Sequence, residues 1–570
     1  MVDKIKEKYL SLSEEDRNKF VDKLKREGKR YGVFPISSLQ DTLLYAYLTS
    51  QQDTSYNIRM KLRFSEQLQT EVLKRSLDYV VAANPSLRSK LFILQDTCFQ
   101  VVEKPYPVQL LAMEGTASYI DDWLKTSDRA FDLQQEYPIR FQLLKDVEEK
   151  EYILVLTAHH IFTDGWSFEI LVKEIQEKYI ELCQGATESR TEKKRSYGEI
   201  YLDRAKSQTA DEYWEKQLKD GIHKVDFENI SQKLQITQEK DSQKQTDKYK
   251  SNQSVSLAKK DLVDNLAVQY GVSPYVLLLS VYLDALHQLS QQEAVSTAIA
   301  VLNRTTKEEL ESVGLYATLI PVLSNFKTET VSERLACIKE AVRNAIAYGN
   351  VDQRKLINYL MCQNTSEEMY SNVFLFSEQS RQREELGNTW VWMIPENIDN
   401  SRNIQYDLLC SVNLTENQYV LSVDYRRKIA KELIEELENL YLKVFHEYVD
   451  GIRSTIKILT TEGVSVCNKE KEAAKADKET EISSEESSEN CRKEKLENCA
   501  ERLSAIWENL LGHDAFEPSD NFFAVGGNSL LAIKLLRQMN ESFGVNLKIT
   551  DIFKYHSLSA MSKHLVTLEE

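Results

Sequence analysis

The chain lacks several features that would place it in common protein classes. Its 570 residues include eight cysteines, which show neither the paired spacing of a disulfide framework nor CxxC metal spacing. No uninterrupted apolar run approaches the ~18 residues that a membrane span needs, and the first 20 residues are too charged for a signal peptide. A formal net charge of -17 argues against general nucleic-acid binding, which normally needs a basic face. We therefore expect free thiols, a cytoplasmic location, no metal site, and neither nucleic acid nor a membrane as partner.

What is present indicates a large enzyme of more than one domain. The length corresponds to roughly three to four units of about 150 residues, and a hydrophobic content of 42% is enough for substantial cores. Strand-like and helix-like patterns alternate over residues 30–455 in two similar halves, which predicts an α/β protein of two related lobes.

A loop with two histidines stands out in the first half. Residues 152–156 (YILVL) form the short apolar run of a buried strand, and apolar residues from Trp166 to Leu182 recur at helical spacing. His159 and His160 therefore lie where a strand is followed by a helix. A histidine at this position can accept a proton or orient a nucleophile near neutral pH.

The loop sequence HHIFTDGWS (159–167) resembles the HHxxxDGxS motif of condensation domains in non-ribosomal peptide synthetases. The resemblance implies that His160 orients or deprotonates an acceptor amine and that His159 supports the loop. Asp164 is then structural and pairs with a cation, for which the family's pattern indicates Arg304. A backbone N–H near Gly165 is a candidate donor to an oxyanion.

Further segments resemble other motifs of the same family. Ser38 and Gln40 match the first motif, where Ser37 or Ser38 caps a helix, and Leu87-Arg88 with Phe92 resembles the second. Aromatic residues from Tyr197 to Trp214 resemble the fourth motif, and we interpret them as core packing. Asn303-Arg304 with the segment 313–319 partly matches the fifth. Residues 349–353 depart from the sixth, so they predict nothing about substrate selectivity.

The first 33 residues predict a short helix. Ser13 and Asp16 resemble a capping box, and Gly28 is a candidate helix end. The thin apolar stripe of this helix leaves two interpretations open: a lid packed on the main domain, or a docking element for an upstream protein.

The C-terminal part has a different composition. Residues 457–494 are rich in Lys, Glu, Ser and Thr, with almost no large apolar residue, so they predict a flexible charged linker. Residues 495–570 show several helical stripes. Between the first two lies DNFFAVGGNSL (520–530), in which Ser529 could simply cap a helix.

This segment resembles the DxFFxxGGxSL signature of peptidyl carrier domains, whose serine carries covalent 4′-phosphopantetheine. The two roles of Ser529 are compatible, because a helix N-terminus tolerates a nearby phosphate.

The resemblances together imply a condensation domain at residues 1–456, with lobes at about 1–183 and 197–456, followed by the linker and a carrier domain at 495–570. We expect two chloramphenicol-acetyltransferase-like lobes arranged in a V, and a small all-α carrier domain of four helices. The implied reaction is amide-bond formation between a carrier-bound acyl or peptidyl thioester and an aminoacyl acceptor.

The implied partners are an upstream donor carrier protein or module, an adenylation enzyme acting in trans, a phosphopantetheinyl transferase and a possible downstream module. Three alternatives remain: a condensation-like epimerase, an acyltransferase that uses an alcohol or a soluble amine, and a catalytically silent recruiting scaffold. Epimerases of this type usually act on a carrier that precedes them, and silent members typically lose the second histidine, which is present here.

Overall fold

The fold is described from a computed structural model of the chain. The described residues are 27–49, 54–94, 97–186, 194–204, 208–219, 222–233, 249–251, 254–325, 330–353, 370–378, 383–386, 389–394, 406–426, 428–462, 486–520, 529–545 and 557–569, with a few residues outside these ranges, among them 19–20 and 23–24.

The first half of the chain forms two sheets, a larger one and a smaller one of three strands. Its strands are β1 (Val33–Pro35), β2 (Asn57–Ser65), β3 (Ser89–Leu94), β4 (Thr97–Val102), β5 (Leu110–Gly115), β6 (Ile139–Asp146) and β7 (Glu151–His159). Its helices are α1 (Ser38–Thr49), α2 (Thr70–Ala83), α3 (Ala117–Thr126), α4 (Gly165–Cys183) and α5 (Tyr197–Asp203). Strands β1, β4 and β3 form the small sheet in that order, and β2, β7, β6 and β5 lie side by side in the larger one.

Strand β7 lies in the interior of the larger sheet, between β2 and β6. Leu154 and Leu156 pack with residues of α2 and α4, whereas Ile153 and Val155 pack with residues of α3. Because both faces of the strand are covered, its sequence is a continuous apolar run instead of an alternating pattern. The predicted strand at 152–156 and the helix after it are both confirmed.

The second half builds a sheet of seven strands. Its elements are α6 (Gln208–Gln217), α7 (Phe227–Lys233), β8 (Tyr249–Ser251), β9 (Val255–Lys259), α8 (Lys260–Tyr270), α9 (Pro274–Ser290), β10 (Ala294–Val301), α10 (Lys307–Glu311), β11 (Thr318–Asn325), α11 (Val331–Ala347), β12 (Asn372–Ser377), β13 (Arg383–Leu386), β14 (Thr389–Ile394), β15 (Leu408–Thr415), β16 (Gln418–Arg426) and α12 (Lys431–Glu462). The strand order is β11-β10-β12-β15-β16-β8, and β9 also pairs with β16. The pairs β10–β12 and β12–β15 are parallel, and the other pairs of this sheet are antiparallel.

Two strands of the second half belong to the sheet of the first half. Strand β14 pairs antiparallel with β2, with Val391 opposite Phe64, and β13 extends the sheet beyond β14. Val391 is buried in the core of the first half. The predicted division into lobes at 1–183 and 197–456 therefore needs a correction, because residues 383–394 complete the first sheet. Hydrogen-bond pairing between strands distant in sequence leaves no local pattern by which this crossing could be predicted.

The C-terminal unit is helical. It contains α13 (Glu486–Leu511), α14 (Ser529–Phe543) and α15 (Leu558–Glu569), packed around buried residues that include Trp507, Phe522 and Leu565. Helix α12 extends to Glu462 and α13 begins at Glu486, so both ends of the predicted linker 457–494 are helical. Residues 463–485 lie outside the described part of the chain.

The N-terminal prediction is covered only in part. Leu24 is buried with Val33, Phe92 and Phe99 against the small sheet, and Phe20 packs on the same cluster. These contacts favour the packed-lid interpretation for the residues concerned. The predicted capping box at Ser13 lies outside the described residues, and Gly28 begins a short 3-10 helix (Gly28–Tyr31).

Among the described residues, no single helix has both the length and the apolar composition of a membrane span. Helices α8 and α9 reach that length and composition only when taken together, and they are bent by 88° relative to each other.

Candidate active site

The histidine loop is held between strand β7 and helix α4 by its own side chains. Strand β7 ends at His159, residues His160–Phe162 form one 3-10 turn, and Asp164 is the N-cap of α4. The Asp164 carboxylate accepts the Ser167 backbone N–H, and Ser167 Oγ accepts the Asp164 N–H, which is a reciprocal capping box. The order of residues in the motif thus sets both the turn and the start of the helix.

His159 is a buried, neutral support for this turn. The residue is only 3% exposed, and its Nδ1 accepts the backbone N–H of Ile161 at 3.1 Å. Burial, then the charges of His160 and Arg140, lower the pKa of His159 to about 3. Because Nδ1 is an acceptor, the proton of the neutral ring is on Nε2. The aromatic rings of Tyr47, Tyr56 and Phe131 surround it.

His160 has the opposite tautomer. Its Nδ1 lies 2.7 Å from the carbonyl oxygen of Thr163, and since a carbonyl can only accept, Nδ1 must carry the proton. The lone pair of the neutral ring is then on Nε2, and the residue is partly exposed. This arrangement suits a group that accepts a proton or a hydrogen bond from a nucleophile.

Gln40 connects helix α1 to the histidine loop. Its Nε2 donates to the carbonyl of Ile161 at 2.9 Å, and its Oε1 accepts the backbone N–H of Ser37 and the Nε2–H of Gln100, each at 3.0 Å. Ser37 Oγ in turn accepts the Gln40 N–H, so Ser37 is the cap of α1. The Gln40 side chain is fully buried, and it therefore fixes the backbone directly after His160.

Asp164 is buried and saturated with hydrogen bonds. Its Oδ1 accepts from the Ser167 backbone N–H at 2.8 Å and from Ser167 Oγ at 2.7 Å. Its Oδ2 accepts the backbone N–H groups of Tyr316 and Ala317 at 3.0 and 3.1 Å. The residue has 0% exposure, so the carboxylate is a structural group that connects α4 to the second half of the chain.

Arg304 is the cation that pairs with Asp164. Its Nη2 donates to Oδ1 at 2.8 Å and to Oδ2 at 3.0 Å, and both side chains have 0% exposure. The guanidinium also donates to the carbonyls of Ser312 and Gly314 at 2.6 and 3.3 Å and lies 4.1 Å from the ring centre of Tyr316. The ion pair expected from the sequence is present.

The electrostatics of this pair follow from burial and charge. Burial alone would raise the pKa of Asp164, but the Arg304 charge and the hydrogen bonds from Ser167 and Tyr316 outweigh it, so the pKa lies below its ordinary value. The carboxylate therefore stays ionised and is not a second base.

Gly165 is the first residue of α4 and is exposed. A Cβ at this position would meet nothing within 4 Å, so there is open space beside the backbone. The N–H groups of the first helical turn have no acceptor within the helix, which makes this one available in principle to a ligand.

Trp166 and Ser167 add contacts to the second half of the chain. Trp166 Nε1 donates to the carbonyl of Leu310 at 2.9 Å, and Ser167 Oγ accepts the Gly314 backbone N–H at 3.1 Å. Gly314 is required here, because a Cβ would come within 2.4 Å of the Tyr197 ring. The sequence suggested a catalytic role for neither residue, and the spacing of Ser167 from Asp164 is the signal that could have identified the capping box.

Ser529 lies in the C-terminal helical unit and is not part of the histidine loop. It is the first residue of the 15-residue helix α14, and residues 526–528 before it lie outside the described part of the chain. The N-terminus of a helix of this length favours a phosphate group, so the position fits a phosphodiester-linked arm. In the described part of the molecule no cluster of His, Cys, Asp or Glu could hold a metal ion.

Comparison with known proteins places two domain types on the chain. Residues 31–461 match the family model described as "Condensation domain" and residues 501–565 match the one described as "Phosphopantetheine attachment site". Among curated proteins, gramicidin S synthase 2 of Aneurinibacillus migulanus is 20% identical over 439 residues, which is 75% of this chain and 10% of that protein. The chain thus spans about a tenth of the length of this relative.

Solved structures show the same fold at low identity. The first condensation domain of the calcium-dependent antibiotic synthetase, in complex with a substrate analogue, is 15% identical, with a TM-score of 0.58 over 72% of this chain and 95% of that one. SgcC5 from Streptomyces globisporus, in complex with (R)-(-)-1-(2-naphthyl)-1,2-ethanediol and sucrose, is 16% identical, with a TM-score of 0.58 over 73% and 98% of the two chains.

Proposed function

The chain belongs to the condensation-domain family, with a phosphopantetheine attachment domain after it, and from this premise we propose that it forms an amide bond in non-ribosomal peptide synthesis. The donor is an acyl or peptidyl thioester on an upstream carrier protein or module. The acceptor is an aminoacyl group held by the chain's own carrier domain. We take the two lobes to form the V-shaped arrangement that the family resemblance implies, with the substrates entering from opposite sides.

The orientation of His160 carries the proposal. With Nδ1–H held by the Thr163 carbonyl, the Nε2 lone pair can accept a hydrogen bond or a proton from the acceptor amine as it attacks the donor carbonyl. His159 cannot replace it, since its ring is buried and its Nδ1 already serves the Ile161 N–H. The larger part of the rate enhancement comes from holding both substrates at this loop.

The remaining site residues hold the histidine loop in place and polarise the donor carbonyl. Asp164 and Arg304 fix the start of α4 against the second half, which keeps the loop in place without entering the chemistry. The backbone N–H at Gly165, at the N-terminus of α4, is the candidate donor to the oxyanion that forms on the donor carbonyl. The open space beside Gly165 supports this role.

The carrier domain holds covalent 4′-phosphopantetheine, and we assign its attachment to Ser529. When bound, this group supplies the thiol on which an acyl group is carried. A phosphopantetheinyl transferase adds it, and an adenylation enzyme acting in trans loads it. Depending on the pathway, a downstream module receives the product. We propose that this activity takes place in the cytoplasm.

The test compares two histidine variants in a condensation assay with preloaded carriers. His160→Ala should lower the rate of product formation by about 10²–10⁴-fold, the usual range for a general base. His446→Ala is the matched control, since His446 is exposed and also has Nδ1 against a backbone carbonyl, that of Leu442 at 2.7 Å. Near-normal turnover in a folded His160→Ala variant would contradict the catalytic role.

A second candidate is ester formation with an alcohol acceptor. A hydroxyl could use the same Nε2 lone pair, and the structural neighbour SgcC5 is in complex with a diol. Assays that offer free amines and free alcohols with the same donor distinguish the two. Product only from alcohols would replace the amide proposal.

A further inference from the structure

The carrier domain contacts the second half of the condensation domain at a defined surface. This surface is formed by Val268 and Gly271 at the end of α8 and by Lys339 on α11, and we call it the α8–α11 surface. On the carrier side it meets Gly512 and Ala515, which follow the end of α13. A cavity of about 540 Å³ lies between Val268 and residues 505–514 of the carrier.

Lys339 bridges the two domains. Its ammonium donates to the carbonyl of Gly271 at 3.1 Å and to the carbonyl of Ala515 at 3.2 Å. Gly271 is the C-cap of α8, and Gly512, just past the C-terminal end of α13, donates its N–H to the Glu508 carbonyl at 2.8 Å. The Lys339 ammonium therefore joins the C-cap of α8 to the loop that follows α13.

The backbone at Gly271 allows the close approach. Its φ is +65°, and a Cβ there would lie 2.6 Å from the Cβ of Ala515. Any residue with a side chain would be strained in this conformation and would also push the carrier loop away. At Gly512 the nearest atom to a Cβ would be Val268 Cγ2 at 3.9 Å, an ordinary contact.

The charges on the two sides are complementary. Lys339 and Arg343 lie on α11, and Asp520 of the carrier acts electrostatically on Lys339. Burial is the largest effect and lowers the pKa of Lys339; the Asp520 charge raises it and the Arg343 charge lowers it, so the pKa lies below its ordinary value. The carrier carboxylate therefore offsets only part of the cost of burying the ammonium.

We propose that the α8–α11 surface is a resting dock for the carrier domain, held by Lys339, from which the carrier departs for its partners. An intramolecular contact of this kind can be weak: a tethered domain is present at high effective concentration, so weak binding is enough to occupy the site. This docking proposal does not depend on which acyl transfer the histidine loop performs.

The first experiment detects the contact in the unmodified full chain. A carbodiimide, which joins an amine to a carboxylate without a spacer, should link Lys339 to Asp520, and peptide mass spectrometry identifies the link. Rising salt should reduce it, because exposed charges are screened within about 10 Å at 0.1 M ionic strength. Absence of such a link at low salt would overturn the proposal.

The second experiment tests the role of the lysine. In Lys339→Met, which keeps most of the side-chain volume, the equilibrium should shift about tenfold or more toward the undocked carrier, since hydrogen bonds to charged groups are stronger than neutral ones. NMR relaxation of carrier amides in the full chain reports this as faster tumbling. Lys339→Arg should restore docking, and Lys443→Met, at an exposed position of α12, is the control.

If the carrier domain tumbles as slowly in Lys339→Met as in the wild type, Lys339 does not hold the dock and this part of the proposal is refuted. Since tumbling and cross-linking are measured without substrates, failure of the dock leaves the amide proposal intact. A loss of condensation in His160→Ala likewise says nothing about docking.

Discussion

Replacing Asp164 by asparagine should destabilise the condensation domain strongly while keeping the size of the side chain. The carboxylate accepts hydrogen bonds from Ser167, Tyr316 and Ala317 and neutralises Arg304. Both carboxylate oxygens of Asp164 face hydrogen-bond donors, so the NH₂ group of an asparagine would face a donor in either orientation of the amide. The change therefore leaves N–H groups without an acceptor and a guanidinium without its counter-charge.

The expected magnitude comes from the buried pair. Breaking one by removing a partner costs roughly 3–5 kcal/mol because a charge is left buried. Arg304 keeps the carbonyls of Ser312 and Gly314 as acceptors, which compensates for part of the loss, so we expect a value near the lower end, about 3 kcal/mol. The lost hydrogen bonds are part of the same sum and are not added to it.

Urea unfolding of the full chain measures this cost, with the transition of the condensation domain followed separately from that of the carrier. A double-mutant cycle with Arg304→Met should show that the double variant is more stable than the sum of the single losses by about 0.5–3 kcal/mol. Glu177→Gln, which removes an exposed ion pair with Lys173, is the control and should change stability by less than about 1 kcal/mol.

The pH dependence provides an independent check. The folded-state pKa of Asp164 is below its unfolded value of about 3.9, so its stabilising contribution is present above that pH and is lost as the pH falls through the folded pKa. The wild type and Asp164→Asn should therefore converge in strong acid. An Asp164→Asn variant with the wild-type urea midpoint at neutral pH would refute the reasoning.

Four further predictions each concern one residue. Gln40→Glu keeps the acceptor for Ser37 but cannot donate to the Ile161 carbonyl, so the condensation rate should fall although His160 is intact; Gln109→Glu, at an exposed position before β5, is the control. Gly314→Ala should lower stability by about 1–3 kcal/mol through overpacking against Tyr197, as measured by urea unfolding; an unchanged midpoint would show that the ring moves freely. The folded pKa of His159 is about 3, below its unfolded value of about 6.5. The stabilising contribution of its neutral ring should therefore be present above pH 6.5 and be lost as the pH falls toward 3; His159→Gln should flatten this part of the plot of unfolding free energy against pH. Intact mass after incubation with a phosphopantetheinyl transferase and coenzyme A should show one added arm, absent in Ser529→Ala and retained in Ser542→Ala; an arm on Ser529→Ala would move the attachment to another residue.

Local patterns in the sequence were sufficient for the elements that carry the site. The apolar run at 152–156 predicted strand β7, helical spacing predicted α4, and the two glycine-containing motifs located His160 and Ser529. These features depend on interactions between residues a few positions apart, such as the cap at Asp164, and such interactions can be predicted from the local order of residues. The pairing of Asp164 with Arg304 also came from the sequence, although only through the family resemblance and not from spacing.

Contacts between residues far apart in sequence were decided by the tertiary structure. Strands β13 and β14 complete the sheet of the first half because an open edge at β2 can pair with any strand that reaches it, and no local signal marks that choice. The opposite tautomers of His159 and His160 depend on which backbone groups face each ring after folding. Gln40 reaches Ile161, and Lys339 reaches Ala515, across 121 and 176 positions of the chain, where hydrogen bonding is determined by packing geometry and not by sequence periodicity.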